Sequence, residues 1–137
     1  MPHRVRGADP SRGVGILVGQ SPNNIVEHNE IHDLYYTGIS LGWTYGYGRS
    51  LATHNTVASN HVWNIGQGVL SDMGGIYNLG NARGTVIRGN HVHDVVSAVY
   101  GGWGIYLDEG SCEVLVEGNL VHDMEASPFT NITAATT

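Results

Sequence analysis

The chain has 137 residues, a net charge of −6 and no lysine, so nucleic acids, anionic membrane surfaces and highly acidic polymers are poor candidate partners. Hydrophobic residues make up 41% and charged residues 13%, which excludes a disordered polyelectrolyte. No stretch approaches the ~20 apolar residues of a membrane span, and residues 1–9 lack the apolar core of a signal peptide. The single cysteine, Cys112, allows no internal disulfide, and twenty glycines indicate many short strands and tight turns.

A short phrase that begins with asparagine occurs four times along the chain. Its copies are Asn29–Asp33, Asn60–Asn64, Asn90–Asp94 and Asn119–Asp123. Their asparagines lie 31, 30 and 29 residues apart. Repetition at a nearly fixed period of this size is typical of a solenoid, in which each turn of the chain stacks on its neighbour.

β-branched residues stand at fixed positions around each asparagine and predict the strands. Three residues before the asparagines are Val26, Val57, Ile87 and Val116, and two residues after them are Ile31, Val62, Val92 and Val121. A glycine–isoleucine phrase alternates with the asparagine phrase, and its glycines are Gly15, Gly38, Gly75 and Gly104. β-branched residues that alternate with polar ones favour short strands with their apolar side inward. The sequence thus predicts an all-β parallel solenoid of about four rungs over residues 13–123. An extension at 1–12 and an irregular tail at 124–137 flank it.

Two polar columns run along the predicted solenoid. The asparagine column is interpreted as structural, because asparagine tolerates left-handed backbone at a bend and stacked amides can hydrogen-bond to each other. A second column contains His32, His93 and His122, with Trp63 in the remaining rung. Metal binding is an alternative for this column, since successive ligands would lie ~5 Å apart. Repetition alone explains the histidines, so no metal and no cofactor are predicted.

Insertions in three rungs predict a binding groove. They occupy residues 42–50, 65–74 and 95–103, at the two ends of the glycine–isoleucine strand. Insertions in repeat proteins collect on the binding face. With the isoleucines inward, the outward residues of this strand are Ser40, Tyr77, Tyr106 and Asp108.

Carboxylates and aromatic rings at this groove predict a carbohydrate site. Asp72 precedes the third glycine–isoleucine strand, and Asp108 and Glu109 follow the fourth. Aromatic rings stack on sugars, and two carboxyl groups can divide the acid and the nucleophile or base roles of glycoside hydrolysis. We expect Asp72 and Asp108 to form this pair, with Glu109 as the fallback partner. The expected substrate-binding residues are Trp43, Tyr45, Tyr47, Tyr77, Trp103 and Tyr106.

The spacing of the two aspartates sets a geometric condition. On straight strands, at ~3.3 Å per residue, Asp72 and Asp108 would lie well apart. We therefore expect a bend in the glycine-rich segment Met73–Gly75 to bring them together. Turn capping is the alternative role for the aspartates, and loop packing is the alternative for the aromatic residues.

At these residues the chain resembles the right-handed parallel β-helix repeat proteins and, within them, glycoside hydrolase family 141. The phrases that carry the resemblance are residues 32–48, 66–77 and 100–110, within a resemblance that covers 13–123. It implies a right-handed, single-stranded β-helix from a bacterial enzyme that acts outside the cell or in the periplasm. The implied substrates are plant cell-wall glycans, such as xylan or fucosylated pectic glycan. Members of that family are several times longer, so a piece of about four rungs is expected to self-associate through open solenoid ends.

Two other functions remain open. One is a non-catalytic carbohydrate-binding or structural solenoid, because a fold by itself does not fix a function. The other is a polysaccharide lyase or epimerase that acts on a uronic-acid polymer, which requires cations to neutralise the substrate carboxylate. Arg49 is the one arginine in a groove loop, which disfavours the lyase or epimerase.

Overall fold

The computed structural model describes residues 4–6 and 13–132, with side chains for 13–132. Within this part of the chain all regular structure is strand, and no helix is long and apolar enough to cross a membrane. The strands are β1 (Arg4–Arg6), β2 (Ile16–Val18), β3 (Ile25–Glu27), β4 (Glu30–Leu34), β5 (Ile39–Gly42), β6 (Thr56–Ala58), β7 (His61–Ile65), β8 (Met73–Leu79), β9 (Thr85–Arg88), β10 (His91–Val95), β11 (Gly102–Leu107), β12 (Val114–Glu117), β13 (Leu120–Met124) and β14 (Phe129–Asn131).

The strands form three parallel sheets, which the chain visits in turn. Sheet A has the order β1-β4-β7-β10-β13, sheet B the order β14-β11-β8-β5-β2, and sheet C the order β12-β9-β6-β3. From β3 onward, every three consecutive strands place one strand in each sheet, in the order C, A, B. Each such set of three is one rung of a right-handed solenoid, and the predicted all-β parallel solenoid is confirmed.

Apolar columns fill the interior, one from each sheet. Sheet C contributes Val26, Val57 and Ile87, sheet A contributes Ile31, Val62 and Val92, and sheet B contributes Ile39, Ile76 and Ile105. Members of each column are paired in register on neighbouring strands, and none is more than 9% exposed. The β-branched positions predicted to point inward therefore form the core, where their branched side chains suit a pleated surface.

A ladder of asparagines joins the rungs between sheets C and A. The side-chain Nδ2 of Asn29 donates to Oδ1 of Asn60 at 2.9 Å, Asn60 donates to Asn90 at 3.0 Å, and Asn90 donates to Asn119 at 2.9 Å. Each acceptor oxygen also takes the backbone N–H of the preceding asparagine. Asn60 and Asn90 are 1% exposed, so the ladder satisfies polar groups that have no access to water.

The left-handed residue of each bend is the one before the asparagine. These residues are His28, Ser59, Gly89 and Gly118, with φ between 54° and 61°. The asparagines themselves do not have positive φ, so the expectation that they take the left-handed conformation is wrong. In the ladder, the backbone N–H and the side-chain amide of each asparagine both donate to the asparagine of the next rung. The left-handed turn is therefore made by the residue before the asparagine.

Strand pairing extends beyond residues 13–123. Strand β1, inside the predicted extension 1–12, pairs with β4, and β14, inside the predicted irregular tail 124–137, pairs with β11. A parallel ladder is made by backbone N–H and C=O groups, so the edge of β11 pairs with a segment that lacks the glycine–isoleucine phrase. Residues 1–3, 7–12 and 133–137 lie outside the described part of the chain.

The asparagine ladder predicts that the stability of the protein is unusually sensitive to substitution of Asn90. Replacing Asn90 with alanine removes an acceptor for Asn60 and leaves buried polar groups without a partner, which should lower the free energy of unfolding by about 2–4 kcal/mol. The measurement is urea unfolding of wild type and variant. Asn131→Ala, at an exposed asparagine of β14, is the control and should cost less than about 0.5 kcal/mol. Equal effects of the two substitutions would contradict this role of the ladder.

Candidate functional site

A row of aromatic rings lies on the outer face of sheet B. Ser40, Tyr77 and Tyr106 are paired in register on β5, β8 and β11, with their side chains opposite the isoleucine column. The ring of Trp43 contacts that of Tyr77 at a centroid distance of 5.6 Å, and Tyr77 contacts Tyr106 edge-on at 5.0 Å. Trp103 then packs on Tyr106 at 4.2 Å. The parallel register thus assembles side chains from three rungs into one continuous surface.

Asp108 lies at the carboxyl end of the sheet B strands, directly after β11. Its Oδ2 accepts a hydrogen bond of 2.7 Å from the hydroxyl of Tyr77, on the neighbouring rung. Its Oδ1 accepts the backbone N–H of Glu109 at 2.7 Å. Both carboxylate oxygens therefore have a donor, and the aspartate is oriented by one contact within its own rung and one across rungs.

Asp72 lies at the other end, directly before β8. Its Oδ1 accepts a hydrogen bond of 3.0 Å from the hydroxyl of Tyr106. Its backbone N–H donates to the carbonyl of Tyr100, and its carbonyl accepts the hydroxyl of Tyr36 at 3.2 Å. Asp72 has left-handed backbone, with φ of 59°, which turns the chain as it enters the strand.

Crossed tyrosines connect the two aspartates. Tyr77 shares a rung with Asp72 but bonds to Asp108, whereas Tyr106 shares a rung with Asp108 but bonds to Asp72. The expected bend in Met73–Gly75 is wrong, because these residues belong to β8 and the left-handed residue is Asp72 itself. Each aspartate is thus bonded to one of two tyrosines whose rings are in edge-on contact at 5.0 Å, and this ring contact links the predicted carboxyl pair.

The tyrosine hydroxyls of this network hold their protons firmly. Burial raises the pKa of Tyr77, and the hydrogen bond to Asp108 raises it further. Burial also raises the pKa of Tyr106, followed by the negative charges of Asp72 and Asp108. For Tyr100, the charge of Asp72 is the largest cause of a raised pKa. At neutral pH these hydroxyls are therefore donors, and the aspartates accept from them.

Beside Asp72 the surface opens into a pocket of about 350 Å³. Its lining residues are Tyr36, Leu70, Ser71, Asp72 and Tyr100. The candidate set did not include Tyr36 and Tyr100. Tyr100 belongs to the insertion at 95–103, so the position of that insertion was the signal that could have identified it. Tyr36 lies outside the insertions and had no comparable signal.

The loop of residues 43–50 packs against the turn that follows Asp108. Its Gly46 packs backbone to backbone against Gly110, where φ is 80° and a Cβ atom would collide with the Gly46 carbonyl. The indole N–H of Trp43 donates to Oγ of Ser40 at 2.8 Å. Tyr45 and Tyr47 are 73% and 54% exposed. The loop therefore contributes one anchored ring and two exposed ones.

Glu109, the fallback carboxylate, has an exposed side chain. Its backbone makes two hydrogen bonds: the N–H donates to Oδ1 of Asp108, and the carbonyl accepts the N–H of Gly80.

A separate cluster of imidazoles lies on sheet A, where one nitrogen from each of His61, His91 and His93 falls within 4.8 Å of the others. Among the described residues, this is the group that could hold a metal ion.

A comparison with protein families agrees with this architecture. A family model described as "Right handed beta helix region" matches residues 4–133, which is nearly the whole chain. No curated protein and no solved structure matches the chain.

The raised tyrosine pKa values predict a pH dependence of stability. Tyrosine in the unfolded chain has a pKa of about 10, so the stabilisation from a hydroxyl whose folded-state pKa is higher is fully present below that pH and is lost as the pH rises above it. Wild type should lose more stability between about pH 9 and about pH 11 than Tyr77→Phe, in which this group cannot ionise. Urea unfolding at the two pH values measures the difference. Equal losses in the two proteins would contradict the assignment.

Proposed function

Because the chain belongs to the right-handed β-helix family, we propose that it is a carbohydrate-active protein, a glycoside hydrolase that uses Asp72 and Asp108 as its carboxyl pair. The observation that carries the proposal is the network in which the hydroxyls of Tyr77 and Tyr106 bond to these two aspartates on the outer face of sheet B. Glycosidases that use a carboxyl pair place the two groups on either side of the scissile bond.

The aromatic row supports a sugar as the ligand. Exposed aromatic faces bind the apolar faces of sugar rings, and the 43–50 loop presents Tyr45 and Tyr47 beside the row. Trp43 packs on Tyr77 and Trp103 packs on Tyr106, so the row extends over three rungs. The resemblance to glycoside hydrolase family 141 points to a plant cell-wall polysaccharide, xylan or a fucosylated pectic glycan, and to action outside the cell or in the periplasm.

The surroundings of the aspartates suggest different roles. Asp108 accepts one hydrogen bond on each oxygen, which suits an anionic carboxylate that acts as nucleophile or base. Asp72 lines the open pocket, so it is the carboxyl group beside the space for a sugar, and in its protonated form it would serve as the acid. Tyr106 and Tyr77 orient the pair and fix the positions of the two groups relative to each other.

A non-catalytic glycan-binding or structural solenoid is the second candidate. The observation that favours it is the burial of the network, since Tyr77 and Tyr106 are 7% and 2% exposed. Asp108 also caps the backbone of the turn after β11, as a purely structural aspartate would. In this case the exposed aromatic residues would bind glycan without cleaving it.

Substitution of either aspartate tests the hydrolase proposal. The purified chain is incubated with arabinoxylan and with fucosylated pectic oligosaccharides, and released sugars are followed by chromatography. Asp72→Asn and Asp108→Asn should each lower turnover by about a thousandfold or more while glycan affinity is retained, because the amide keeps the shape but cannot perform acid–base or nucleophilic chemistry.

Glu117→Gln is the matched control, since it makes the same carboxylate-to-amide change at an exposed position of sheet C. It should leave turnover unchanged. Product release that survives both aspartate substitutions would exclude this pair. A folded wild-type chain that binds the glycans and releases no sugar would favour the second candidate.

Tyr45 tests the binding surface independently of catalysis. Its ring is exposed, so Tyr45→Ala should weaken glycan affinity about tenfold, the effect of losing roughly 1.4 kcal/mol of stacking, without destabilising the fold. Affinity electrophoresis in gels that contain arabinoxylan measures the change. Leu115→Ala, at an exposed apolar residue of sheet C, is the control. Similar mobility shifts for the two variants would remove Tyr45 from the proposed site.

A further inference from the structure

Four histidines form a cluster on the outer face of sheet A, away from the proposed glycan groove. The second residues of β7 and β10, Val62 and Val92, are fully buried, so the first and third residues point outward. The first residues are His61 and His91, and the third residues of β10 and β13 are His93 and His122. The sequence-based interpretation considered only the column of third residues. The parallel register adds a second column beside it.

The nitrogens of these two columns meet in diagonal pairs. Nε2 of His61 lies 2.8 Å from Nε2 of His93, and Nε2 of His91 lies 2.8 Å from Nε2 of His122. His61 and His91 stack with ring centroids 4.7 Å apart. Side-chain nitrogens from three consecutive rungs therefore converge on a small, partly exposed patch.

Aspartates orient the third-position rings. Nδ1 of His93 lies 2.7 Å from Oδ2 of Asp94, and Nδ1 of His122 lies 2.7 Å from Oδ2 of Asp123. A neutral imidazole that donates Nδ1–H to a carboxylate has a lone pair on Nε2, directed away from the aspartate. This carboxylate–histidine arrangement is the one that supports histidine ligands of metal ions.

From this geometry we infer that His61, His91 and His93 bind a divalent transition-metal ion such as Zn²⁺. Nitrogen is the preferred donor of such ions, and three imidazoles from a rigid sheet make a chelating set. The inference is independent of the glycan site, since the two surfaces lie on different sheets.

The distances require only small movements. With Zn–N bonds of about 2.0–2.1 Å, two nitrogens of a tetrahedral site lie about 3.3 Å apart. The 2.8 Å contact between His61 and His93 must therefore open slightly, and the wider separations within the 4.8 Å set must close. In the metal-free protein His61 donates Nε2–H to His93, whose own proton lies on Nδ1. When Nε2 of His61 binds the metal, that proton moves to Nδ1 of His61, so no proton leaves the site.

Zinc titration of the untagged chain tests the inference. The protein is treated with chelator, exchanged into buffer and titrated with ZnCl₂ by calorimetry. We expect saturable binding of one ion, and a rise in Tm of roughly 8 °C at a zinc concentration of about 100 Kd. MgCl₂ should leave Tm unchanged, because Mg²⁺ prefers oxygen ligands. Absence of saturable zinc binding below about 1 mM would overturn the inference.

Three variants separate the cluster from general surface binding. His93→Gln should weaken zinc affinity at least tenfold, whereas His28→Asn, at an exposed left-handed histidine outside the cluster, should bind as wild type does. Asp94→Asn keeps every ligand and tests the positioning role of the carboxylate. It should weaken zinc affinity about tenfold without changing the Tm of the metal-free protein. Equal affinities for wild type and His93→Gln would overturn the assigned ligands.

Discussion

Parallel pairing in a fixed register between successive rungs is the constraint on which the rest of this structure depends. Residues about thirty positions apart are placed side by side on neighbouring strands. Equivalent positions of successive repeats therefore form one continuous column of side chains. The asparagine ladder supports this register, because its side-chain amides and backbone N–H groups are satisfied only when the rungs are aligned. A slip by one residue would turn Val62 and Val92 out of the core.

The same register produces two different polar surfaces. On sheet B it aligns Ser40, Tyr77 and Tyr106, with Asp72 from the insertion at 65–74 before β8 and Asp108 directly after β11. On sheet A it aligns two columns of histidines whose nitrogens meet diagonally. Neither surface requires a special loop fold, because each grows from side chains that the strands already hold about 5 Å apart. Insertions then add Asp72 and the exposed rings of Tyr45 and Tyr47.

Burial distinguishes the inner part of the proposed glycan site from its outer part. Tyr77 and Tyr106 are nearly inaccessible to solvent, whereas the rings of Tyr45 and Tyr47 are 73% and 54% exposed. The sequence-based set treated these four tyrosines alike, since one sequence contains no information about which hydroxyl a carboxylate will bind. The hydroxyls of Tyr77 and Tyr106 are bonded to aspartates, so in the proposed site these two tyrosines position the carboxyl pair.

The sequence by itself determined the solenoid, its inward columns and the outward face of the glycine–isoleucine strands. These follow from local periodicity: β-branched residues at fixed offsets, such as Val57 and Val62, and a repeat of about thirty residues. Only the tertiary structure decided the left-handed residue at each bend, the pairing of β14 with β11 and the crossing of Tyr77 and Tyr106 between rungs. The physical reason is that these features depend on hydrogen bonds between residues far apart in the chain. Periodicity fixes which face a side chain occupies, whereas its partner depends on how the rungs are stacked.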